Sequence, residues 1–209
     1  KRRFCIHGKI PEIKPNYNTA PGQTMPVIVN HGEGNVIEMM RWGLIPVWAK
    51  DDKIGYKMIN ARAETLDEKP TWKRPLKSQR CIIPASGFYE WQKHGSAKQP
   101  FYIHLPGSEL IGFAGLFDTW HDPEGDEVRS YSIITTTPND LMKPIHDRMP
   151  AILHHSSEDS WADPAADGDV GYLESLLQPY TPNDMEAYKV SDEVNKPKNN
   201  RPDVLAPIA

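Results

Sequence analysis

Cysteine is nearly absent: Cys5 and Cys81 are the only two in 209 residues. Two thiols cannot build a disulfide scaffold or a Cys-only zinc site, and their scarcity suits a reducing, cytoplasmic setting. No apolar run approaches the roughly 20 residues needed to span a bilayer. No secretory hydrophobic segment opens the chain, so neither membrane contact nor export is expected. No HxxxH or paired-Cys spacing offers a zinc site, and no metal or other cofactor is expected. A surplus of one charge sign is missing as well. Lys and Arg number 24 against 28 Asp and Glu, a net charge of −4 with His neutral. That balance gives no global nucleic-acid signal, yet it leaves room for a local basic cleft. Internal repeats are also absent.

Turn formers and aromatics are plentiful instead. The chain holds 20 Pro and 14 Gly, with six Trp, eight Tyr and five Phe. Only 38% of residues are hydrophobic, but the aromatic content argues for a folded, loop-rich protein over a disordered one. The length suits one domain, residues 1–209, with an irregular tail from about residue 195. Val27-Ile28-Val29 and Val36-Ile37-Glu38-Met39-Met40 flank the polar, Gly-rich His31-Gly32-Glu33-Gly34-Asn35 and read as a hairpin. Further strand-like runs cover 80–84, 88–92, 101–105, 111–120 and 130–137, separated by turn signals. Two helices are expected, over 156–161 behind a Ser cap and over 170–177 with Val170, Leu173, Leu176 and Leu177 on one face. Short strands with few helices predict an α+β fold on a curved, barrel-like, mostly antiparallel sheet.

Five segments carry residues that packing alone explains poorly. Tyr17-Asn18-Thr19-Ala20-Pro21 reads equally well as a Pro-stiffened turn. Arg41-Trp42-Gly43-Leu44-Ile45-Pro46-Val47-Trp48 sets two tryptophans beside Gly and Pro breakers; both suit a core, or an aromatic wedge that stacks on a nucleobase. In Ile59-Asn60-Ala61-Arg62-Ala63-Glu64-Thr65, alternation puts Asn60, Arg62 and Glu64 on one side. That side faces either plain solvent or an anion that Arg62 grips. In Ser86-Gly87-Phe88-Tyr89-Glu90-Trp91 an acid sits among three aromatics. Poor solvation there would raise its pKa toward the range of an acid–base catalyst; a strand's outward face would leave it an ordinary surface carboxylate. Ile145-His146-Asp147-Arg148-Met149-Pro150 is a charged loop with a His that suits proton transfer or a hydrogen-bonded bystander.

Taken in order, these segments, with Arg80-Cys81-Ile82-Ile83-Pro84-Ala85 before the fourth, resemble the SOS response-associated peptidase (SRAP) family over nearly the whole chain. The resemblance implies one α+β domain and a DNA-repair protein that binds abasic sites in single-stranded DNA and crosslinks to them covalently. It also implies lyase-like chemistry, and such proteins are classed as thiol autopeptidases too. A monomer that associates with DNA is expected. The family nucleophile is an N-terminal cysteine whose amine and thiol close a thiazolidine on the sugar aldehyde. By residue-wise match, Asn60, Glu90 and His146 fall on active-site positions. The DNA-facing set is Arg3, Trp42, Gly43, Arg62, Trp91 and Arg148.

One departure matters. The family start is Cys-Gly-Arg-Phe; aligning Arg3-Phe4 puts Lys1 in the cysteine slot and Arg2 in the glycine slot. Either the true start is altered or absent here, or the nucleophile is lost. In the second case a thiol peptidase and a non-covalent reader of single strands remain open. Lys1 could offer an amine for an imine, but without a thiol the ring cannot close. Cys5 carries a peptide nitrogen and cannot close it either; it reads as a buried structural thiol and Cys81 as core.

Overall fold

The computed structural model describes residues 3–166 and 168–208. Strands β1 (Thr24–Asn30) and β2 (Asn35–Trp42) form the expected hairpin, in register from Thr24↔Arg41 to Asn30↔Asn35. Asn30 Oδ1 accepts from the backbone N–H groups of Gly32 and Gly34 at 2.8 and 3.2 Å and so shapes the tip. β3 (Asn60–Arg62), α1 (Pro70–Ser78), β4 (Arg80–Ala85), β5 (Phe88–His94) and β6 (Ala97–His104) follow. Then come the long hairpin of β7 (Ile111–His121) and β8 (Glu127–Thr136), and the short β9 (Met149–Pro150) and β10 (Ile152–Leu153). The chain finishes with α2 (His155–Ala162), α3 (Val170–Ser175) and β11 (Glu186–Lys189).

The main sheet runs β10-β7-β4-β1-β2-β8-β3, with β9 added to β8. Because β7 also pairs with β8, the path β7-β4-β1-β2-β8 returns to its start and the sheet curls on itself. This is the expected α+β architecture. The pairings of β8 with β2 and β3 are parallel, and all others in the sheet are antiparallel. A second sheet, β11-β6-β5, stands apart.

Alternation along the strands feeds two apolar layers. Ile28, Ile82, Ala114, Leu116 and Ile134 pack with Phe4 against Trp72, Trp161 and Leu173 of the helices. Their neighbours Val27, Val29, Cys81, Phe113 and Ile133 pack with Ile103 of the small sheet and with Met142, Ile145 and Met149. Gly43 is fixed where the strand ends: it has φ +114, and a Cβ there would lie 2.6 Å from the Gly55 carbonyl oxygen. Only glycine permits that backbone contact.

Local details differ from the sequence reading. The helix α2 starts at His155, and its N-cap is His154 with no side-chain bond, so no serine caps it. The helix α3 is capped by Asp169, which accepts from the Tyr172 N–H. The tail, irregular as expected, is held against the fold. The buried Asn18 amide donates to the carbonyls of Val194, Lys196 and Asn199 at 3.0, 3.2 and 3.2 Å, and Val190 bridges to Pro207. Among the described residues, no helix is long and apolar enough to cross a membrane.

Candidate nucleic-acid interface and acid–base pair

Strand β5 sorts its side chains onto two faces. Phe88, Glu90 and Gln92 share one; Tyr89 and Trp91 share the other. Phe88 meets Phe113 edge-on with centroids 5.8 Å apart, which docks the first face on the main sheet. Glu90 therefore sits over an apolar layer with Phe101 as its cross-strand partner. Burial pushes its carboxyl above the ordinary range; His146 opposes that shift and Asp147 adds to it. The aromatics that desolvate this acid are thus not its sequence neighbours Tyr89 and Trp91, which point away.

His146 completes the pair from the loop before β9. Its Nε2 lies 3.8 Å from Glu90 Oε2. The loop is anchored by buried Met142, Ile145 and Met149, and Gln92 Nε2 donates to the Pro144 carbonyl at 2.8 Å. The Arg148 backbone N–H donates to His146 Nδ1 at 3.1 Å. The Arg148 carbonyl lies 3.2 Å from the same Nδ1 and Asp147 Oδ1 lies 3.3 Å from it, so the loop holds the ring from that side and leaves Nε2 toward Glu90.

A continuous path leads from this pair to the edge of the main sheet. The Arg148 guanidinium reaches the Thr135 carbonyl at 2.5 Å and grips Glu64 through both nitrogens at 2.6 and 2.9 Å. That grip holds the Glu64 carboxyl below its usual range. Thr135 is the register partner of Arg62 on β3. Asn60 and Arg62 are exposed on either side of buried Ala61, and among the described residues neither side chain has a hydrogen-bond partner. The expected alternation stops there, because the chain turns into a 3-10 helix at Ala63–Thr65 and Glu64 swings to Arg148. Ile59, just before β3, accepts the Trp42 indole N–H at 3.0 Å. No hydrogen bond or ion pair among the described residues joins Asn60 to Glu90 or His146; it lies two residues before Arg62, whose register partner Thr135 accepts from Arg148.

The remaining expected residues lie elsewhere or serve packing. Trp42 is half-buried and stacks on Tyr131 with an interplanar angle of 8°. Gly43 is buried. The exposed aromatic of that segment is Trp48, 60% exposed beside Val47 at 50%. Alternation could have separated the two, since Trp42 shares a β2 face with buried Met40 whereas Trp48 lies beyond the strand. Trp91 lies on the far face of β5 and donates its indole N–H to Asn195 Oδ1 at 2.7 Å. Arg3 is ion-paired to Glu158 of α2 and lies 4.6 Å from the Phe4 ring centroid. It lines a cavity of ≈ 430 Å³ with Leu105, Ile111, Leu153 and Tyr180, which includes none of Asn60, Glu90 and His146. Lys1 and Arg2, aligned to the cysteine and glycine positions, lie outside the described residues. Cys81 is buried as expected and its thiol is pushed up by burial, whereas Cys5, expected to be buried, is exposed. No described group of His, Cys, Asp and Glu could hold a metal ion.

Comparison with known proteins bears on this geometry. The family described as SOS response associated peptidase (SRAP) matches residues 2–197. The abasic site processing protein YoqW of Bacillus subtilis (strain 168) is 55% identical over 206 residues, spanning 97% of this chain and 92% of that protein. The abasic site processing protein HMCES of Xenopus tropicalis is 35% identical over 232 residues, spanning 96% of this chain and 68% of that protein. A crystal structure of a protein from Bacteroides thetaiotaomicron superposes with a TM-score of 0.82 at 33% identity, covering 90% of this chain and 82% of that one.

Proposed function

From the premise that the chain belongs to the SRAP family, we propose that it captures abasic sites in single-stranded DNA at the surface around Glu90 and His146. The observation that carries this reading is the Glu90–His146 pair itself. A carboxyl that burial keeps protonated to higher pH faces an imidazole at 3.8 Å, and the β3 edge bears an exposed arginine. The relatives named for abasic site processing support the substrate.

The chemistry follows from the residues. An abasic sugar opens to an aldehyde. A neutral amine adds to its carbon and gives a carbinolamine; an α-amine, with a reference pKa of roughly 8, keeps a neutral fraction at neutral pH. Loss of that hydroxyl as water needs a proton, and Glu90, whose carboxyl burial shifts toward the acid form, is the group placed to deliver it. His146 beside Glu90 closes the cycle: its ring takes a proton from the sugar carbon in a β-elimination, becoming imidazolium, and hands that proton to the Glu90 carboxylate, which restores the acid. Asn60 offers an amide to a sugar oxygen or to the amine. Arg62 holds a phosphate, Arg148 adds a second cation once a phosphate competes with Glu64, and Trp48 supplies a stacking face. The amine belongs to the position that Lys1 takes here; a thiol on that residue would close the ring to a thiazolidine. The geometry supports this over a thiol peptidase, because neither cysteine is hydrogen-bonded to a histidine among the described residues.

The test is incubation with an oligonucleotide carrying one abasic site, followed by a denaturing gel. A shifted band that Glu90→Gln suppresses is expected. Salt-sensitive binding with no shifted band would leave only a non-covalent reader.

A further inference from the structure

The exposed Trp48 sits at the corner of a tight turn, closed by the Ala49 N–H on the Pro46 carbonyl at 2.8 Å. Three side chains of the β7–β8 hairpin hold that turn from beneath. Ser130 Oγ accepts from the Ile45 N–H at 2.7 Å. Asp118 Oδ2 accepts from the Val47 N–H at 3.1 Å. The Trp120 indole N–H donates to the Ala49 carbonyl at 2.7 Å. Asp118 and Ser130 are direct cross-strand partners, and Trp120 is two residues beyond Asp118 on the same face. All three are buried. The contacts fall on every second residue of the loop, 45, 47 and 49, much as a neighbouring strand would bind it.

The second carboxylate oxygen of Asp118 is also committed. Oδ1 takes the Thr119 N–H at 2.8 Å and Arg74 Nη2 at 2.5 Å. A buried carboxylate is costly, and here its hydrogen bonds are spent on a surface loop and its support. Trp48 itself gains nothing from this in packing, since it is exposed. The loop backbone is therefore ordered before anything stacks on the indole. A stacking residue on a mobile loop loses affinity to the ordering of that loop; one on a fixed loop does not.

We infer that Asp118, Trp120 and Ser130 are positioning residues that hold Trp48 outward as a rigid platform for a base of the bound strand. This rests on the single-strand reading of the site, and its test separates the two. Amide hydrogen exchange of the free protein is measured for the native chain, Ser130→Ala and Ser130→Ala/Trp120→Phe. Affinity for a plain single-stranded oligonucleotide is measured by anisotropy for the same chains, each with and without Trp48→Ala. Trp48→Ala alone is expected to weaken binding about five- to 150-fold, the range for one stacked base. The double variant is expected to speed exchange at Ile45 and Val47 and to weaken binding about three- to tenfold where Trp48 is present. With Trp48 already removed it should weaken binding no further.

Equal losses in both backgrounds would reduce the three residues to fold stability and overturn the inference. So would unchanged exchange at Ile45 and Val47. Ser130→Ala alone removes one acceptor and keeps the fold testable should the double variant not fold. If Trp48→Ala leaves affinity unchanged, the platform is overturned, whereas a persisting crosslink to an abasic oligonucleotide in that variant would show the proposed function intact.

Discussion

Glu90 shows most clearly how a single side chain is set apart from its neighbours. Its carboxyl has an ordinary value of 4.5, and burial raises it in the native state. The native chain thus holds this proton to higher pH than the unfolded chain. Stability falls as pH rises from the ordinary value through the native one, and above that the ionised group costs a constant amount. Glu90→Gln removes the cost while keeping shape and polarity. Calorimetry should show a melting temperature equal to the native chain's near pH 4 and higher near pH 8. Crosslinking should slow by about 10²- to 10⁴-fold, the usual weight of one acid–base group. Single-strand affinity should stay close to native. A lower melting temperature at both pH values would make Glu90 an ordinary structural acid. Its motif was legible as an acid among aromatics. Which aromatics desolvate it was not, because Phe101 comes from the neighbouring strand β6 and only pairing in space brings it opposite.

At the scale of elements, the long strands and their hairpins follow from alternation and turn residues, and the structure agrees with them. The pieces that escaped are those that neighbours define. Pro70 suits the first position of the helix α1, but Pro75 inside it argues against a helix locally; burial of Trp72 and Leu76 at helical spacing stabilises it all the same. Strands β3, β9 and β10 span only two or three residues each and exist because β8 and β7 offer edges to pair with. The β3 edge matters for binding, because it turns Asn60 and Arg62 outward around Ala61. Arg62→Ala should weaken binding to every single strand alike and should flatten the dependence of log K on log salt by about 0.7, one phosphate contact. Its melting temperature should stay near native, since the side chain is exposed. An unchanged salt slope would remove the phosphate contact. Arg148 differs in kind. Its guanidinium is bound to Glu64 and Thr135, and its backbone positions His146. Arg148→Ala should therefore cost crosslinking rate and stability together, measured by gel and by thermal melting.

Across the whole molecule, the two faces of the small sheet divide the labour. One face carries Glu90 toward His146 and the main sheet. The other carries Tyr89, Trp91, Tyr102 and Tyr188 toward the segment 190–208. The Tyr17-Asn18 segment fastens that segment: Asn18 binds three of its carbonyls, the Tyr17 N–H donates to Asn200 Oδ1 at 2.7 Å, and the Tyr89 hydroxyl donates to the Tyr17 carbonyl at 2.8 Å. A motif that reads equally as a turn or as chemistry thus belongs to the scaffold in this structure, and no local pattern could reveal partners about 180 residues away in a chain that pairs remote segments. Asn18→Ala leaves the buried Val194 carbonyl and two part-buried carbonyls without this donor and should cost about 2–3 kcal/mol. At this chain length that is a fall of about 4–12 °C in melting temperature. Limited proteolysis should open first within residues 190–208. Crosslinking measured well below the transition should keep its native rate, because the fastening lies behind β5 and not beside Glu90. If the rate fell in step with tail release, the two faces of the small sheet would be coupled, and the C-terminal segment would count as part of the reactive site.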